Sequence, residues 1–126
     1  MSSLASRALV VSTLLAAPAL AAPTEMFTPA LFAKGGQFLE CRIVNVSGAP
    51  QDVTVEAHTS TGAVGAGPSL QTLVPGEAGG FSVPGGSNLY CKFTVNAKPE
   101  KFRASIDVLE LVGIAETQII LALPGF

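Results

Sequence analysis

The placement of the two cysteines, Cys41 and Cys91, limits the folds that this chain can adopt. Each lies within a run of alternating apolar and polar residues, and each falls on the apolar side of its run. The apolar positions of the two runs are Leu39, Cys41 and Ile43, then Leu89, Cys91, Phe93 and Val95. Alternation with a period of two is typical of half-buried β-strands. A bond between these sulfurs would therefore lie in a core between two sheets.

The first residues have the pattern of a secretory signal peptide. Arg7 precedes an apolar run from Ala8 to Leu20, and Ala19-Leu20-Ala21 offers small residues to a signal peptidase. We place the cleavage after Ala21, so that residues 1–21 form the signal peptide and residues 22–126 one mature domain. The run spans roughly 20 Å as a helix, against a hydrocarbon core of about 30 Å. We therefore expect a secreted protein, periplasmic or extracellular in a bacterium, with no membrane anchor.

Export to an oxidising compartment predicts a Cys41–Cys91 disulfide, the one intramolecular pairing that two cysteines allow. The alternatives are a redox pair and a metal site. The sequence has no C-x-x-C motif, and one histidine with two distant cysteines makes neither a zinc tetrad nor a His₂Cys copper site. We predict no metal and no cofactor.

Further strands are predicted between clusters of glycine, proline and serine. Alternation recurs over residues 52–58 and 102–107, and shorter apolar runs occupy residues 70–74 and 81–83. The predicted breakers are residues 47–50, 62–68, 75–76, 79–80, 84–87 and 98–99, with a flexible loop at 62–68. The pattern predicts an all-β fold, an antiparallel immunoglobulin-like β-sandwich of about seven strands with one inter-sheet disulfide. No Trp is present to pack on the bridge, and Tyr90 precedes Cys91 directly, which does not match a tyrosine corner.

The C-terminal segment Val108–Leu123 is apolar on both of its alternating sides. We predict a hairpin that turns near residues 113–116, with a helix from Asp107 onward as the alternative. A strand that is apolar on both faces normally lies in the middle of covered layers. We therefore expect a protein partner or a second copy of the chain to cover this segment.

Few residues are suited to catalysis. His58 is the sole histidine and Glu56 lies on the same side of its strand, but no nucleophile motif accompanies them. Glu56 with Glu40 or Asp107 would suit glycoside hydrolysis if two of the carboxylates lay about 5–10 Å apart. We interpret His58 as an exposed residue at a strand end. We interpret the acids as cross-strand ion pairs with Arg42, Lys92 and Arg103 on the solvated faces. No catalytic, cofactor-binding or metal-binding residue is predicted.

Asn45-Val46-Ser47 matches a glycosylation sequon, which matters only in a eukaryotic host. The net charge of −2, with 13% charged residues, gives no basic surface for nucleic acid.

Several strand and turn strings resemble those of small exported bacterial β-sandwich proteins with one disulfide and no assigned role. They are Cys41-x-x-x-Asn45-Val46, Val53-Thr54-Val55, Leu73-Val74-Pro75-Gly76, Tyr90-Cys91-Lys92-Phe93-Thr94-Val95 and Arg103-Ala104-Ser105. The resemblance spans roughly residues 39 to 108, implies fold and export, and supplies no functional residues.

The sequence thus predicts a secreted non-enzymatic β-sandwich that binds a ligand or assembles, with residues 23–34 as a candidate donor strand for another subunit. The alternative is a small extracellular hydrolase or hydrolase inhibitor.

Overall fold

A computed structural model describes residues 23–112 and 116–124 of the chain. Within these ranges the fold is all-β, as predicted, with nine strands instead of about seven and a 3₁₀ turn at Pro99–Lys101. The strands are β1 Thr24–Phe27, β2 Leu31–Phe32, β3 Gln37–Asn45, β4 Gln51–Thr59, β5 Val64–Leu73, β6 Ala78–Pro84, β7 Asn88–Val95, β8 Phe102–Val112 and β9 Glu116–Pro124. The predicted signal peptide lies outside the described residues. No helix among the described residues is long and apolar enough to cross a membrane.

The strands form two antiparallel sheets. The first sheet has the order β1-β7-β4-β5, with β2 also paired to β7, and the second has the order β6-β3-β8-β9. The chain passes between the sheets after β2, β3, β5, β6 and β7. Two hairpins, β4–β5 and β8–β9, stay within one sheet each. Strands that follow one another along the chain therefore often lie in different sheets.

One hydrophobic core joins the inward faces of the two sheets. Its largest fully buried side chains include Phe93, Phe102, Leu39, Ile43 and Ile106. These residues lie at the positions that the alternation of apolar and polar residues assigns to the inward side. The disulfide between Cys41 on β3 and Cys91 on β7 lies within this core, with both residues at most 1% exposed. The predicted disulfide and its position between the sheets are confirmed.

The prediction of a flexible loop at residues 62–68 is wrong. Strand β5 begins at Val64 and pairs with β4, with irregular register between Val55 and His58. Gly67 lies in the left-handed region at φ 88°, and a Cβ there would lie 2.7 Å from the Val55 carbonyl oxygen. A glycine permits this close approach. Pro68, which follows, lies in an edge strand, where a proline is tolerated.

The predicted breaker at Gly79 and Gly80 is also wrong, because both glycines lie inside strand β6. Gly80 has φ 131° and pairs with Arg42 of β3, and a Cβ on Gly80 would collide with the carbonyl group of Cys41. The glycines that the sequence pattern marks as turn residues are required here for close strand contact.

The C-terminal hairpin is confirmed by the antiparallel pairing of β8 with β9, although the turn itself falls outside the described residues. Val108 and Leu109 point to opposite sides of the sheet, and both are buried. At this end of β8 both faces are therefore shielded from water.

The candidate donor strand at residues 23–34 already belongs to this domain. Both β1 and β2 pair with β7, and the backbone N–H and the hydroxyl of Thr28 both bond to the backbone of Cys91. The prediction that this segment is free to join another subunit is wrong.

Candidate functional site

The outer face of the first sheet carries a group of polar and aromatic side chains that we call the His58 cluster: Phe27, Glu56, His58, Tyr90 and Lys92. The strand register brings them together, because His58 lies opposite Tyr90, and Lys92 lies opposite both Glu56 and Phe27. The period of two in β4 and β7 places these residues on the side away from the core. The cluster therefore contains the one histidine of the chain and the carboxylate that the sequence pairs with it.

His58 is held on three sides. Its Nε2 lies 2.7 Å from Glu56 Oε2, its Nδ1 lies 3.0 Å from the Gly62 carbonyl oxygen, and its ring stacks on Tyr90 with centroids 5.3 Å apart. Glu56 and His58 lie on the same side of β4, as the alternation predicts. The interpretation of His58 as an exposed residue at a strand end is wrong, because it is only 8% exposed. The turn between β4 and β5 and the Tyr90 ring remove it from water, and neither contact can be read from alternation alone.

The hydrogen-bond partners of His58 determine what the imidazole can do. A carbonyl oxygen only accepts, so Nδ1 must donate to Gly62, and Nε2 faces a carboxylate that accepts when ionised. Both bonds form together when the ring carries two protons or when Glu56 carries one. Neither nitrogen then offers a lone pair to a substrate, as a general base must. In the part of the chain that the structure describes, no hydroxyl bonds to the ring.

The hydroxyls that follow His58 bond to each other. Thr59 Oγ1 and Thr61 Oγ1 are 2.9 Å apart, and the backbone of Thr59 bonds to Ala63 and Gly62 across the turn. His58 therefore fastens this turn to the face of the sheet, and the arrangement lacks an activated nucleophile among the described residues.

The ion pairs differ from the predicted ones. Lys92 Nζ lies 3.2 Å from Glu25 Oε1, a partner on β1 that the sequence pattern does not identify because β1 is too short to alternate visibly. Arg103 instead donates to the carbonyl oxygens of Glu100 and Phe102, at 3.2 and 2.8 Å. The predicted cross-strand pairs of Arg42 and Arg103 do not occur among the described residues.

The carboxylates considered for glycoside hydrolysis are divided between the two outer faces. Glu56 lies on the first sheet, whereas Glu40 and Asp107 lie directly opposite each other on β3 and β8 of the second sheet. Asp107 is 2% exposed, and its Oδ1 has no hydrogen-bond partner among the described residues. The pairs of Glu56 with Glu40 or Asp107 are therefore not formed.

A polar depression of about 490 Å³ lies on the outer face of the second sheet. Its charged lining residues are Glu40 and Arg42 of β3, and the remainder is residues 78–82 of β6. The depression exists because Ala78, Gly80 and Ser82, which lie opposite β3 side chains on this face, are small. No group of three or more potential metal ligands is found within the described residues.

Asn45, the sequon asparagine, is fully buried. Its Nδ2 donates to the carbonyl oxygens of Ala49 and Leu73, at 2.8 and 2.9 Å, and its Oδ1 accepts from the backbone N–H and the hydroxyl of Ser47. Both amide hydrogens are thus engaged inside the protein, so a glycan at Asn45 is incompatible with this fold.

Comparison with known proteins supports the fold alone. No protein-family model matches the chain, and no curated protein matches its sequence. The chain is similar to a solved structure described as "Crystal Structure of Thermotoga maritima 1070", with a TM-score of 0.57 and 11% sequence identity. The similarity covers 81% of this chain and 91% of the Thermotoga maritima chain.

Proposed function

We propose that the chain is an exported, non-enzymatic domain that works by binding or by assembling with another protein. The proposal of export rests on the signal-peptide pattern of residues 1–21 and on the Cys41–Cys91 disulfide, which forms and persists in oxidising compartments. Intact-mass measurement of the protein from a bacterial periplasm tests this part. The expected species lacks residues 1–21 and has no free thiol, whereas a full-length or reduced species would contradict export.

We further propose that the domain is immunoglobulin-like with two exchanged edge strands. In the constant-type domain, strand B lies between A and E, and strand F lies between C and G. Here β3 and β7 carry the disulfide, as strands B and F do. Strand β6 lies beside β3 in the place of E, and β4 lies beside β7 in the place of C. The first strand, β1, takes the place of G beside β7, and β8 takes the place of A beside β3.

The observation that carries the non-enzymatic assignment is that both ring nitrogens of His58 are occupied by Glu56 and by the Gly62 carbonyl. A catalytic histidine presents one nitrogen to a nucleophile or a substrate. His58 instead holds the β4–β5 turn in place. A purely structural role for the one histidine suits a domain that binds partners through its sheet faces and edge strands.

The alternative is a small extracellular hydrolase or hydrolase inhibitor, and the 2.7 Å contact between His58 and Glu56 is the observation in its favour. The purified mature domain tests it with chromogenic ester and glycoside substrates, using wild type, His58→Ala and, as a matched surface control, Arg103→Ala. We expect no turnover by any of the three. Turnover by wild type that His58→Ala abolishes while circular dichroism stays unchanged would establish an enzyme and overturn the proposal.

A further inference from the structure

The edges of the two sheets differ in how well they are protected against pairing with another chain. Unpaired backbone groups on an edge strand bind other strands unless charges, prolines, bulges or short length prevent it. In the first sheet, β1 has four residues and carries Glu25, and β5 contains Gly67-Pro68 and an irregular register. In the second sheet, the Gln71 side chain bonds to both backbone groups of Gly80 on β6. Three of the four edges are thus obstructed.

The fourth edge is β9, Glu116–Pro124, which pairs only with β8 among the described residues. It has nine residues and, between its two ends, no charged residue, no glycine and no proline. Its pairing with β8 shifts at Ile120, which has no partner in β8 and divides the strand into two regular segments. Between the two ends of the strand as the structure describes it, the shift is the one protective feature, and each four-residue segment is as long as β1, which pairs fully with β7.

We propose that β9 pairs antiparallel with β9 of a second copy of this chain, which makes the two second sheets continuous across a two-fold axis. The inference rests on the proposed binding or assembling function and names its partner. Antiparallel pairing of identical strands is isologous, so the same edge serves both copies. With one open edge in the part of each domain that the structure describes, such pairing ends at a dimer and does not continue into a fibre.

Charge favours a second copy in this orientation. In antiparallel pairing, Glu116 at the start of one β9 lies near Pro124 at the end of the other, so the two carboxylates stay apart. Parallel pairing would set the two Glu116 carboxylates side by side, which is unfavourable. The uncharged segment between the ends meets an identical uncharged segment. Pairing also gives hydrogen-bond partners to the backbone N–H and C=O groups on the open side of β9.

Light scattering and hydrogen exchange on the oxidised mature domain test this proposal. We expect a monomer–dimer equilibrium, with amides of residues 116–124 gaining protection as the protein concentration rises. The variant Gln118→Lys/Ile120→Lys places charge on the edge; residue 118 lies opposite Glu110 in its own hairpin, and residue 120 has no partner there. We expect its dimer dissociation constant to rise at least about tenfold. Leu70→Lys, at a 75% exposed residue on the edge of the other sheet, should dimerise as wild type does.

A strict monomer at all concentrations would overturn the β9 pairing, and so would a dimer whose residues 116–124 gain no protection. The exchange measurement on wild type decides the matter even if the lysine variant fails to fold. Neither result bears on catalysis or export, which the substrate and mass measurements test separately. Failure of the pairing and failure of the proposed function are therefore distinguishable.

Discussion

The side-chain amide of Gln71 closes the free edge of β6 by pairing with both backbone polar groups of Gly80. The Gly80 N–H donates to Gln71 Oε1 at 2.8 Å, and Gln71 Nε2 donates to the Gly80 carbonyl oxygen at 3.0 Å. The amide thus makes the two hydrogen bonds that a residue of a neighbouring strand would make. Gln71 lies on β5 of the first sheet, so this contact also links the two sheets where β5 passes to β6.

Replacing Gln71 should therefore both destabilise the domain and open an edge. We expect Gln71→Ala to lower the free energy of unfolding by about 1–2 kcal/mol, since the two bonds to Gly80 and a third to the Ser69 hydroxyl are lost. The neighbouring Leu70→Ala removes an exposed side chain and should change stability by less than about 0.5 kcal/mol. Urea denaturation measures both. Equal stability of Gln71→Ala and wild type would mean that the amide contributes nothing to the edge.

Opening the disulfide should produce the largest single loss of stability. The bridge closes a loop with a sequence separation of 50 residues, for which the chain-entropy model gives about 4 kcal/mol. The change is Cys41→Ala/Cys91→Ala, measured by urea denaturation with and without reductant. Reductant should lower the stability of wild type and leave that of the variant unchanged. A wild type that is insensitive to reductant would show that the bridge does not contribute as a cross-link.

Asn45 should be intolerant of substitution because its amide makes four hydrogen bonds in a fully buried position. Asn45→Ala leaves the Leu73 carbonyl oxygen without this donor, and we expect a loss of about 2–3 kcal/mol in the free energy of unfolding. Asn96, an exposed residue just after β7, provides the matched control in Asn96→Ala. Thermal unfolding of the two variants compares them, and similar melting temperatures would contradict the assignment of Asn45 as a buried anchor.

The sequence predicts the parts of this fold that depend on alternation. Cys41 and Cys91 lie on the inward phase of clear strand patterns, and their bond follows from phase and redox chemistry. The missed elements depend on tertiary contact instead. Gly80 lies in a strand because β3 comes too close for any Cβ, and β5 begins before Pro68 because an edge strand tolerates an irregular register.

The site is predictable to a similar extent. The period of two places Glu56 and His58 on one side of β4, which predicts their contact. The burial of His58 depends on the Gly62 carbonyl and the Tyr90 ring, and the latter comes from a strand distant in sequence. Strand order alone decides that Glu40 and Asp107 lie opposite each other while Glu56 lies on the other sheet.

His58 should fasten the turn between β4 and β5 through its two hydrogen bonds. Its ring joins Glu56 on β4 to the carbonyl oxygen of Gly62 in the turn. We expect hydrogen exchange of the turn amides, residues 59–63, to be faster in His58→Ala than in wild type, because the turn loses the bond that the Gly62 carbonyl oxygen accepts.

Glu56→Gln is the matched control for His58→Ala. A glutamine amide can donate to Nε2 while Nδ1–H still donates to Gly62, so the ring keeps both contacts. The turn amides of Glu56→Gln should therefore exchange at close to the wild-type rate. If the turn amides of His58→Ala also exchange at the wild-type rate, His58 does not fasten the turn.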